Sequence, residues 1–158
     1  MRVAPASVRY IKLGRNGRWE NECIKKGIVR FGFDSSTAER FPLCLAGKWT
    51  ALKKSFVVSG KDRGTATRFT NETRLFFKDQ GSTLWITFVG EVLYWGFFEP
   101  GPPKKHVDGS GVWRKVAGGW RGTDLNSEQL TKDRLSGALT KLAAYRGTSC
   151  RVKTWLTT

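Results

Sequence analysis

Hydrophobic and polar positions alternate through "VRYIKL", Val8 to Leu13, the two-residue period of a strand. The turn residues "GRNG" follow, and the pattern changes. "NGRWENECIKKG" predicts a helix, with Asn16 as candidate N-cap, Glu20 and Glu22 near its positive end, and Lys25 and Lys26 before a terminal Gly27. Trp19, Cys23 and Ile24 share its apolar face. "IVRFGF", Ile28 to Phe33, predicts a second strand closed by "DSS". In "AGKWTALKKSFVV", Trp49, Leu52 and Phe56 recur at helical spacing while Lys48, Lys53 and Lys54 fall off the stripe. "TATRFTNETRLFF" repeats the pattern with Phe69, Thr73 and Phe76, although its threonines are poor helix formers.

Two apolar runs, Leu84 to Phe88 and Val92 to Phe98, flank Gly90-Glu91 and predict a hairpin. Both of its faces are apolar, so it is expected to be central and buried on both sides. "PGPPKKHVDGSG" is a basic loop too short to link domains. "LTKDRLSGALTKLAAYRG" then puts Leu135, Leu139 and Leu142 on one face of a last helix, and "TSCRVKTW" reads as a final strand. No repeat or low-complexity tract interrupts this order. The fold class it predicts is α+β: a small curved sheet or barrel with helices packed around it.

Composition adds a partner to this picture. The chain has 158 residues, the size of one domain (1–158), and carries 28 Lys and Arg against 13 Asp and Glu for a net charge of +15. Such self-repulsion does nothing for stability and points to a polyanion, with nucleic acid first. A membrane surface would call for an amphipathic basic helix or a polybasic tail, whereas these charges are spread along the chain. Cys23, Cys44 and Cys150 are too widely spaced for a zinc knuckle or a disulfide framework. Without a signal peptide or a spanning segment, a cytoplasmic protein is expected, and the chain is a candidate N-terminal module of something longer.

Catalytic material is sparse. His106 is the single histidine, Cys23 has no base to activate it, and there is no nucleophile elbow or phosphate loop. Asp62 with Glu72, or Glu91 with Glu99, does not form the constellation of a two-metal nuclease. A binding module is therefore expected in place of an enzyme, with no cofactor and no metal.

The stretch "GVWRKVAGGWRGTD" is the one that fits a core least well. Trp19, Trp49, Trp85 and Trp95 sit in helical or strand periodicity, but Trp113 and Trp120 lie among glycines and cations. Rings so placed can stack a base while their neighbours hold phosphates, at about 1–3 kcal/mol per base. Lys12 and Arg15, Lys104 and Lys105, and Arg114, Lys115 and Arg121 are the candidate phosphate contacts.

The run "RYIKLGRNGRWENECIKKGIVRFGFDSS", the hairpin "TLWITFVGEVLYWGFFE" and the segment "SGVWRKVAGGWRG" together resemble the YTH domain and its prokaryotic relatives in the EVE/PUA-like superfamily. YTH domains hold the methyl group of N6-methyladenine in RNA within three aromatics. Prokaryotic relatives read modified bases in DNA, often as the N-terminal specificity domain of modification-dependent restriction enzymes. The resemblance implies a cage of Trp113, Trp120 and Phe33, with Phe31 the other choice for the second-strand member. It differs from the eukaryotic motif in two ways: the tryptophans stand two residues further apart, and the third member is phenylalanine.

The implied mechanism is extrusion of a methylated base into the cage, where the added methyl fills space that hydrogen leaves empty. A contact of that size discriminates by about 1–3 kcal/mol. Asn16 and Asp124 are candidates for the base edge, and turn or capping roles are their alternatives. Modified DNA is the favoured partner, in an antiviral restriction setting with a nuclease or NTPase effector in another domain or subunit. An RNA-binding PUA-like module without a cage is the alternative.

Overall fold

A computed structural model describes residues 5–152. Its strands are β1 (Ser7–Ile11), β2 (Ile28–Phe31), β3 (Thr83–Val89), β4 (Val92–Gly96), β5 (Lys104–Lys105), β6 (Val112–Lys115) and β7 (Ser149–Arg151). Its α-helices are α1 (Glu20–Lys26), α2 (Arg40–Leu45), α3 (Trp49–Val58), α4 (Arg63–Lys78) and the short α5 (Gly137–Thr140). The fold is mixed α+β. The strands form two small sheets, ordered β4-β3-β1-β7 and β2-β6-β5, and no closed barrel exists among the described residues. No described helix is long and apolar enough to cross a membrane.

The chain packs as two compact units, each built from separate stretches. The first comprises residues up to Val29, Gln80–Pro100 and Lys115 onward; the second comprises Arg30–Asp79 and Gly101–Arg114.

In the first unit β1 pairs parallel with β3, Tyr10 opposite Ile86, and antiparallel with β7, Tyr10 opposite Cys150. A parallel pair needs a long crossover, and here the crossover contains the whole helical part of the second unit. The hairpin forms as its pattern predicts, with Val89 opposite Val92. Of its two strands only β3 is interior; β4 ends the sheet, where bridges at Arg121 and Thr131 cover it. Tyr10, Ile86, Phe88, Leu93 and Trp95 form the core. Trp85 and Phe98 stack at 4.7 Å between ring centroids. Burial of one such side chain contributes about 1.5–3 kcal/mol.

α1 ends at Gly27, whose φ of 66° is the left-handed cap glycine adopts freely. Trp19 before it and Cys23 within it are buried, but Asn16 does not cap it: Asn16 sits in a preceding 3-10 turn at Arg15–Gly17 with φ 57°. The expected helix at 130–147 is replaced by three short pieces, a 3-10 turn at Lys132–Arg134, α5, and a second turn at Lys141–Ala144. Leu135, Leu139 and Leu142 still pack on the core. The backbone before them is committed elsewhere, because Leu130 O accepts from Leu93 N and Lys132 N donates to Glu91 O. Of the predicted last strand, Lys153, Thr154 and Trp155 lie outside the described residues.

In the second unit α4 is a full 16-residue helix despite its threonines. Asp62 caps it, accepting from the Thr65 N–H at 2.8 Å and the Thr65 hydroxyl at 3.1 Å. Buried Thr73 hydrogen-bonds Phe69 O at 2.7 Å, so burial and local bonding outweigh propensity. Leu52 and Phe56 of α3 are buried in the same unit.

Candidate nucleic-acid interface

The second unit presents half-buried aromatic rings with surface cations over them. β5 consists of two exposed lysines. Lys104 Nζ stands 5.6 Å from the Trp113 ring centre, and Lys105 Nζ stands 5.2 Å from that of Phe41. The Phe69 ring has Lys61 Nζ at 5.6 Å and the Arg68 guanidinium at 5.5 Å. Each arrangement sets a surface cation against an aromatic ring.

Phe33 stacks on Phe69, with ring centroids 4.0 Å apart and planes within 16°. Its backbone is in the left-handed region at φ 58°, as is that of Asp34 at φ 51°. A bulky residue there is strained, and such strain concentrates at functional sites. The turn is held by Ser35, whose hydroxyl and N–H both donate to Gly32 O. Phe31, the other choice for the cage, is only 1% exposed and stacks on Phe76 at 4.7 Å. That ring is core, so it presents no open face to a base.

Arg114 also departs from its expected role. It is 3% exposed, donates to Phe76 O at 2.7 Å, and has its pKa lowered by burial. Its place in β6 turns it inward, as strand alternation requires between half-buried Trp113 and exposed Lys115. It supports the interior and does not join the surface cations. The loop before β6 is tied down by Asp108, which accepts from buried Arg30 at 3.0 Å and from the Ser110 N–H at 2.8 Å. These bonds, the Ser110 N–H first, hold its carboxyl below the usual range. His106 Nδ1 lies 3.0 Å from Asp108 Oδ1.

Trp120 belongs to the first unit, so the expected cage is divided between the units, with Phe31, Phe33 and Trp113 in the second. The Trp120 indole N–H donates to Ile28 O at 2.8 Å, which fixes the half-buried ring. Arg121 is exposed, its guanidinium 5.2 Å from the Trp95 ring centre. Asp124 makes a turn, the alternative role considered for it: its Oδ1 accepts from the N–H groups of Asn126 and Glu128. Arg15 and Lys115 are exposed and Lys12 is half-buried.

The first unit also carries a cleft of about 290 Å³ at the end of β1, whose lining includes Tyr10, Lys12, Asn16, Glu20, Phe88 and Lys132. Two sequence candidates, Lys12 and Asn16, thus come together there. Glu20 begins α1, and its Oε2 is enclosed with no hydrogen-bond partner. Desolvation raises its pKa. Tyr10 is pushed up to about 12, by burial first and then by the charges of Cys150 and Glu20, so it remains a hydroxyl. Among the described residues no three His, Cys, Asp or Glu side chains gather as a metal site.

Compared with protein-family models, curated proteins and solved structures, the chain matches none. Sequence patterns place Phe69 on a helical stripe with Thr73 and Phe76, and Glu20 at a helix start. The close stack on Phe33 and the enclosed carboxylate are three-dimensional facts without a local sequence signal.

Proposed function

We propose that this chain is a nucleic-acid-binding module that reads a modified base, extruded from DNA and held by aromatic rings, as the specificity element of a modification-dependent restriction or defence system in the cytoplasm. The supporting observation is the set of half-buried rings with cations over them on the second unit of a chain with net charge +15. Trp113, Trp120 and Phe33 are the base-holding candidates, and Lys104, Lys105, Lys115, Arg121, Lys12 and Arg15 meet phosphates. Cleavage belongs to a separate effector, and the expected architecture is that of the EVE and YTH domains within the PUA-like group.

The deciding experiment is a binding panel at fixed salt: duplexes and single strands carrying methyladenine, methylcytosine, hydroxymethylcytosine or no modification. Tighter binding of one modified form, lost in folded Trp113→Ala and Trp120→Ala variants, is the expected result. Unchanged preference in both variants would overturn the cage. Equal binding of modified and plain strands, with RNA preferred, would instead identify a PUA-like RNA-binding module.

A further inference from the structure

The cleft on the first unit has a chemistry different from that of the ring-and-cation pairs. Its lining includes two ammonium groups, Lys12 and Lys132, and one carboxylate, Glu20, so an anionic ligand still gains from entering. Lys132 Nζ lies 5.5 Å from the Phe88 ring centre and 3.9 Å from exposed Glu91 Oε1. Tyr10 and Phe88 supply apolar surface, and the Tyr10 hydroxyl keeps its proton. Glu20 lines the cleft, and its Oε2 has no hydrogen-bond donor, a costly state that a donor reaching the carboxylate on binding would relieve. Gly17, at φ 71°, lies against this carboxylate, and a Cβ there would displace the Glu20 side chain.

A ligand that satisfies all of these groups has a flat ring, an N–H donor on its edge and a negative charge nearby. We propose that this cleft takes a second nucleotide of the bound nucleic acid, one whose base carries an exocyclic amino group, with Glu20 accepting from that amine and Lys12 and Lys132 meeting adjacent phosphates. The inference rests on nucleic acid being the ligand. It adds an edge-reading site independent of the aromatic cage and makes Glu20 a specificity-determining residue. Charge-assisted acceptance of this kind discriminates on the order of tenfold or more.

The test pairs labelled oligonucleotides that differ only in the amine: adenine against purine, cytosine against pyrimidin-2-one, guanine against hypoxanthine. Anisotropy titrations at fixed salt compare wild type, Glu20→Ala and Lys132→Ala. At least one amine-bearing member is expected to bind wild type on the order of tenfold more tightly than its partner. Glu20→Ala should erase that difference, and Lys132→Ala should weaken both members while keeping it. If Glu20→Ala does not fold, isosteric Glu20→Gln replaces it and should reduce the preference. A preference absent in wild type, or intact in the folded Glu20 variant, overturns the inference while leaving nucleic-acid binding in place. Failure of wild type to bind any oligonucleotide overturns both.

Discussion

Phe33 stacks face to face on Phe69 at 4.0 Å while its own backbone sits at φ 58°. The ring is held at the cost of a conformation that an L-residue adopts reluctantly, by about 1–2 kcal/mol. Phe33→Gly is therefore expected to be more stable than Phe33→Ala by about 1 kcal/mol, although glycine is ordinarily the worse choice. Chemical denaturation of the two variants checks the order. Greater stability of the alanine variant would show that residue 33 is not left-handed. Both variants should lose nucleic-acid affinity by about 1–3 kcal/mol, the value of one stacked base.

Arg114 and Lys115 are neighbours in sequence with opposite expected phenotypes. Arg114→Ala removes a buried donor from Phe76 O and should cost about 1.5–3 kcal/mol of stability. Lys115→Ala, at an exposed position, should stay within about 0.5 kcal/mol in stability while weakening binding. Thermal melts together with binding titrations separate the two, and matching melts would contradict the inward placement of Arg114.

Removing both lysines of β5 should leave the fold intact and flatten the salt dependence of binding. Each phosphate contact contributes about 0.9 to the slope of log affinity against log salt, so Lys104→Ala with Lys105→Ala should reduce it by about two. An unchanged slope would take β5 out of the interface.

Glu20 gives a pH signature. Its folded-state pKa is raised by desolvation, so the folded chain binds this proton more tightly than the unfolded chain. The resulting penalty is absent below the unfolded carboxyl pKa, grows as pH rises through the folded value, and is fully present above it. Glu20→Gln should therefore raise the melting temperature at neutral pH, with the gain vanishing in acid. A gain that persists at low pH would point to a cause other than ionisation.

The parts of this fold legible in the sequence are those whose signals are local. The β1–α1–β2 run is marked by a change of period and by Gly27, and the hairpin by two apolar runs around Gly90. α2 carries little local signal, because it has six residues and contains Pro42, which is tolerated in a helix's first turn. The leucines at 135, 139 and 142 pack on the core as their spacing suggests, but not from one continuous helix, since bonds to Glu91 and Leu93 fix the chain just before them. At the candidate site, the exposed cations of β5 and the unusual setting of Trp113 were visible in composition. The inward turn of Arg114, the core stacking of Phe31 and the turn role of Asp124 depend on partners distant in sequence or on backbone bonding that composition does not encode.

The interleaving of the two units also has a kinetic meaning. Arg9 and Ser149, bonded side chain to side chain at 3.2 Å, are separated by 140 positions, and the β1–β7 ladder beside them closes a loop whose sequence includes the whole second unit. During synthesis β1 must remain unpaired on that edge until β7 has left the ribosome, and closing so long a loop slows the search for the native pairing. A truncation that removes β7 would leave β1 as an open strand edge, a template for association between chains.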